Sequence, residues 1–116
     1  MTLTDDLKLP ISAAALASAD DASLLSQLHA ARLRAANARA ARRTAQSGYD
    51  LQRAIALLAA SDERNAPARE ARADSAESVI TARAKLDSAE NELDLASAMV
   101  DVLDFAAKLR RREGGA

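Results

Sequence analysis

From Val79 to Ala107 the apolar positions follow one another at alternating intervals of three and four. The series is Val79, Ala82, Leu86, Ala89, Leu93, Ala96, Val100, Leu103 and Ala107. That interval is the seam of a coiled coil, with large residues at one core position and mostly alanine at the other. It predicts a long helix over about 67–112, with a partner helix packed at the close end of the usual separation.

The preceding segment carries two apolar rows instead of one. Leu33, Ala36, Ala40, Thr44, Leu51, Ile55 and Leu58 share one side of a helix. Leu24, Leu28, Ala31, Ala35, Ala38, Ala45 and Tyr49 share another, well round the same helix. A helix in a simple hairpin needs one buried stripe. Two rows over about 21–62 ask for a second neighbour, and the second row is the candidate contact for another copy of the chain. Leu95, Ala98, Val102, Phe105 and Leu109 make a similar extra row beside the seam.

Between the two segments lies "SDERNAPARE", Ser61 to Glu70. Pro67 pushes Ala66 away from helical geometry, and Asn65 can cap the helix that follows. A turn at about 63–66 is the expectation; a continuous helix kinked at Pro67 is the alternative. Asp20 and Asp21 offer a cap for the first helix, and the terminal "EGGA" is a helix stop. Residues 1–20 read as an N-terminal arm or short helix, whose Leu3, Leu7, Leu9, Ile11 and Leu16 can cover part of an exposed apolar surface. At 1.5 Å per residue each long helix reaches roughly 60 Å. No run has the alternation of a strand. The fold expected is therefore all-α: an elongated antiparallel helical hairpin, coiled-coil-like with an alanine-rich seam, preceded by a short arm.

Composition narrows the picture without naming an activity. Alanine is about a quarter of the 116 residues, and the aromatics are Tyr49 and Phe105 alone. Alanine favours helices and brings little bulk, so close helix pairs are expected in place of a thick core. With arginine well above lysine, the codon usage points to a GC-rich bacterial or phage genome. There is no cysteine, hence no disulfide or thiolate metal site. The longest nearly apolar run, Ile11 to Ala19, is far short of the ~20 residues of a membrane span. Asp5 and Asp6 also outweigh Lys8 ahead of it, unlike a signal peptide. The location expected is cytoplasmic, or a virion if the chain is phage-encoded.

The charges divide by segment although the net charge is only -1. Residues 22–60 hold six arginines and one acid, Asp50; residues 70–107 hold nine acids against Arg72, Arg83 and Lys85. An antiparallel hairpin pairs position i with roughly 130 - i, and flanking charges of this kind set register. Arg32 is then expected opposite Asp101, Arg39 opposite Glu90 or Asp94, Arg43 opposite Asp87, and Arg53 opposite Glu77. The competing use of these arginines is nucleic-acid binding along Arg32–Arg53. Against it stand the acidic second helix and the absence of stacking aromatics and of helix-turn-helix spacing. The cluster Lys108 to Glu113 complements the C-terminal end of a helix dipole.

Catalytic signatures are missing from the sequence. His29 is the only histidine, and the Glu-x-x-His pairs of di-metal bundles do not occur. Gly48 stands alone within a helical segment, so there is no phosphate-binding loop. No catalytic, cofactor or metal residue is assigned, and an enzyme is not expected. The function expected is that of a non-catalytic interaction protein, structural, adaptor or chaperone-like, acting through helix faces and self-assembly. The alternatives are a nucleic-acid binder and a peripheral coat on a lipid or granule surface.

Overall fold

A computed structural model of the chain describes residues 20–114. It is all-α, an antiparallel helical hairpin with a short helix in its turn region, and no strand occurs among the described residues. Helix α1 spans Asp21–Ala59, α2 spans Ala66–Asp74 and α3 spans Glu77–Gly114. The N-terminal arm expected over 1–20 lies outside the described residues except for Asp20.

Local chemistry sets each boundary. Asp20 caps α1: its carboxylate accepts from the Ser23 N–H at 2.7 Å, and its carbonyl accepts from the Leu24 N–H at 2.9 Å. Asn65 caps α2 in an extended conformation, accepting from the Ala68 N–H at 2.8 Å, with Pro67 in the first turn. The turn runs from Ala60 to Asn65, so α1 stops slightly before the expected 62.

The single second helix expected over 67–112 is two helices. Ser75 interrupts it: its hydroxyl donates to the Arg72 carbonyl at 2.9 Å, and its N–H donates to the Ala71 carbonyl at 3.1 Å. Ala76 then accepts from the Val79 and Ile80 N–H groups and starts α3. A side chain that bonds to nearby backbone competes with the helix ladder, and in "ADSAES" the Ser75 hydroxyl does so.

The chain forms two compact units. Among the described residues, one contains 20–38 together with 92–114, and the other contains 39–91. In the first, Leu24, Leu28 and Ala31 of α1 pack with Leu103 and Ala107 of α3, flanked by Met99, Val100 and Ala106. Next to them Ala35 and Ala38 pack with Ala96, flanked by Leu93 and Val100. Positions rise along α1 as they fall along α3, so the pair is antiparallel. Leu103 is fully buried.

The second unit buries fewer side chains. Its fully buried apolar residues are Ala60, Ala73, Val79 and Leu86, while Ala82 and Ala89 are half-buried. Polar contacts around the turn add to these. Arg72 reaches Asp62 at 2.7 Å and Glu63 at 3.6 Å, and Arg69 donates to the Glu63 carbonyl at 3.1 Å. Arg53 donates to Asp74 at 3.1 Å, and that hydrogen bond raises the pKa of its guanidinium, which is charged in any case. In both units the α3 seam is the predicted one: Val79, Leu86, Ala96 and Leu103 are buried, and the positions between them are half-buried.

Candidate interaction surface

The two apolar rows of α1 exchange the roles expected of them. Leu24, Leu28, Ala31, Ala35 and Ala38 were expected to face another copy of the chain; they are buried against α3 and form the hairpin's own seam. Ala45 and Tyr49, lower in the same row, are half-buried. The physical reason lies in the flanking charges. Arg32 bonds Asp104 at 3.5 Å, and Arg34 bonds Glu92, its Nε lying 3.1 Å from Oε1. These two arginines sit on opposite sides of the Ala31–Ala35 row, as flanking charges do across a coiled-coil seam. Arg34 stands apart from the other arginines on the helix, and that separation was the available signal.

The opposite row is left open. Within the second unit Ala40, Thr44, Ser47, Leu51, Ala54 and Leu58 succeed each other at alternating intervals of four and three, and every one is exposed. Leu51 is 58% exposed, Leu58 75%, and the adjoining Ile55 51%. The Thr44 hydroxyl donates to the Ala40 carbonyl at 3.1 Å, so its hydrogen-bonding capacity is used within its own helix. A row at heptad spacing thus faces outward, with Leu51 and Leu58 as its large apolar members and the polar Thr44 and Ser47 among the rest. Isolated exposed leucines are ordinary on a protein surface; a row in register is not.

The arginines are mostly paired, but not with the partners expected. Arg32 takes Asp104 where Asp101 was expected, and Arg53 takes Asp74 where Glu77 was expected, each about one helical turn away. Glu90 pairs with Arg42 at 3.7 Å and not with Arg39. Asp87 pairs with Arg83 on its own helix at 3.2 Å and not with Arg43. Arg39 and Arg43 are exposed and have no ion pair among the described residues, and the same holds for Asp94 and Asp101. Register is therefore set by the apolar seam, and the long arginine side chains take whichever carboxylate is in reach.

Gly48 and Tyr49 line an open groove of about 920 Å³ between α1 and α3, together with Ala45, Thr81, Ala82 and Lys85. A methyl group on Gly48 would meet nothing within 4 Å, so no close helix contact explains the glycine. The Arg83 guanidinium lies over the Tyr49 ring, 5.6 Å from its centre. At the other end of the chain Phe105 and Leu109 are exposed beside Lys108 and Arg112.

Among the described residues no group of three or more acidic, histidine or cysteine side chains is placed to hold a metal ion. No described helix is long and apolar enough to cross a membrane. Compared with known protein families, curated proteins and solved structures, the chain has no significant match in any of the three.

Proposed function

We propose that the chain is a non-catalytic helical interaction protein that binds a protein partner through the outward row of α1. The observation that carries this reading is the exposed row at heptad spacing from Ala40 to Leu58, with Leu51, Ile55 and Leu58 each more than half exposed. Burying the half to three-quarters of these side chains that is exposed stabilises a complex by roughly 1–2 kcal/mol each before the cost of association is subtracted. The reading covers self-association as well as docking of another protein, in a structural, adaptor or chaperone-like role.

The test compares the wild-type chain with Leu51→Gln/Leu58→Gln in retention experiments on native-host extract, with helicity monitored by circular dichroism. Proteins held by the wild type and lost by an equally helical variant support the reading. Retention of the same proteins by both overturns it.

A second reading has its own observation, the absence of ion pairs at Arg39 and Arg43 among the described residues. Two free cations one turn apart can meet a phosphate backbone. The paired state of Arg32, Arg34, Arg42 and Arg53 weighs against it. Titration with labelled oligonucleotides at about 150 mM salt separates the two, since phosphate contacts weaken steeply with salt. Sub-micromolar binding lost in Arg39→Ala/Arg43→Ala would favour the nucleic-acid reading.

A further inference from the structure

We infer that the N-terminal segment, residues 1–19, packs along a second face of α3 centred on Val102 and completes the first unit from within the same chain. The inference stands apart from the interaction reading above, which concerns α1. Three observations carry it.

The first is a valine buried where the hairpin does not bury it. Val102 is 5% exposed, yet it belongs to neither cluster that joins α1 to α3. At about 100° per residue it points about 120° away from the line of Ala96, Leu103 and Ala107 that meets α1. Its own helix does not close it off either. Ile80, also β-branched and also off the seam of α3, is 55% exposed. Ala84 and Ala98 make the same comparison at one heptad position, two repeats apart. Ala84, in the second unit, is exposed; Ala98, a turn before Val102, is half-buried. Something covers this face of α3 in the first unit and not in the second.

The second is where the cover comes from. These exposures are those of a single chain, so the covering residues belong to it. Outside 20–114 the chain has residues 1–19 and the pair Gly115 and Ala116. Val102 lies about 18 Å back from the end of α3, beyond the reach of two residues. The N-terminal segment is left.

The third is reach and chemistry. The Arg110–Asp21 bond at 3.3 Å places the start of α1 beside the last turns of α3. From Arg110 back to Val102 is about 12 Å along the helix axis, back to Leu95 about 22 Å, and back to Ala84 about 39 Å. A helix made from residues 1–19 would be about 28 Å long, enough for Leu95 to Leu109 and too short for Ala84. Ile11 to Ala19 carries no charge, and its polar residues are Ser12 and Ser18 alone. Such a run gains by leaving water for Ala98, Val102 and Leu109.

The experiment uses the full chain, which has no cysteine of its own. Val102→Cys, Ala98→Cys and Ile80→Cys chains are compared for their rate of alkylation in dilute solution, with circular dichroism on each. The first two are expected to react at least about tenfold more slowly than Ile80→Cys. Adding Ile11→Gln/Leu16→Gln should bring both rates close to that of Ile80→Cys, with Ile80→Cys itself unchanged and most helicity kept. If Val102→Cys lowers the helicity, Ala98→Cys carries the same test. Crosslinking is independent of these rates: on oxidation in dilute solution Leu16→Cys should close on Leu109→Cys within one chain, in preference to Leu33→Cys. Alkylation of Val102→Cys and Ala98→Cys as fast as Ile80→Cys overturns the inference. So does protection that survives Ile11→Gln/Leu16→Gln, or closure of Leu16→Cys on Leu33→Cys instead. Protection at position 102 that appears only as protein concentration rises would assign the face to a second copy and overturn it as well.

Discussion

The two units use the same helical alphabet for different ends. In the first, α1 offers Leu24, Leu28, Ala31, Ala35 and Ala38 to a matching row on α3, and the apolar surface closes on itself. In the second, four apolar residues are fully buried, the groove beside Gly48 stays open, and the row carrying Leu51, Ala54 and Leu58 faces away from α3. Both units carry a helix cap and exposed ion pairs: Asp20, Arg32–Asp104 and Arg34–Glu92 in the first, and Asn65, the Arg72 pairs with Asp62 and Glu63, and the Arg53–Asp74 bond in the second. Buried apolar contacts are worth more than exposed ion pairs. The first unit is accordingly where stability resides, and the second is where surface remains for a partner.

The comparison breaks most visibly if a buried and an exposed leucine prove equivalent. Leu103→Ala removes a fully buried side chain from the first unit and should cost about 2–5 kcal/mol in thermal or denaturant unfolding. Leu58→Ala, in the second unit, should stay within about 0.5 kcal/mol under conditions where the chain is monomeric. Similar losses at both sites would mean that the outward row is covered from within the chain.

A smaller effect sharpens the role of the turn region. Asn65→Ala deletes the side-chain acceptor for the Ala68 N–H, and an unfolding shift of about 1 kcal/mol is expected. Hydrogen exchange should show that loss first in α2.

Gly48→Ala changes the sign. With nothing within 4 Å of the added methyl, the substitution should stabilise α1 by about 0.5–1 kcal/mol through the higher helix propensity of alanine. Destabilisation would mean that another surface approaches Gly48 closely.

The smallest effect concerns the arginines. A double-mutant cycle on Arg34 and Glu92, both about half exposed, should return a coupling of about 0.2–1 kcal/mol, falling with added salt.

The hairpin was legible because its determinants are local and periodic. The Val79–Leu103 seam, the Asn65 cap and Pro67 each act within a few residues of themselves, and each is found where the pattern puts it. The break at Ser75 was carried by equally local residues, but one serine in a strongly periodic helix is a weak signal until its hydroxyl is seen on the Arg72 carbonyl. The facing of α1 was harder. Both of its rows have the period of a helix, and periodicity alone does not say which row meets α3. Only the flanking charges distinguish them, with Arg32 and Arg34 bracketing the inner row. Individual ion pairs were beyond sequence reading, because an arginine side chain reaches more than one carboxylate along a helix.

Hydrogen exchange along α1 tests the division between the two units most directly. Amides in the Leu24–Ala38 segment should be strongly protected, because their face is closed by α3 within the chain. Amides from Ser47 to Leu58 should be less protected in dilute solution. Uniform protection along the whole helix would contradict the account.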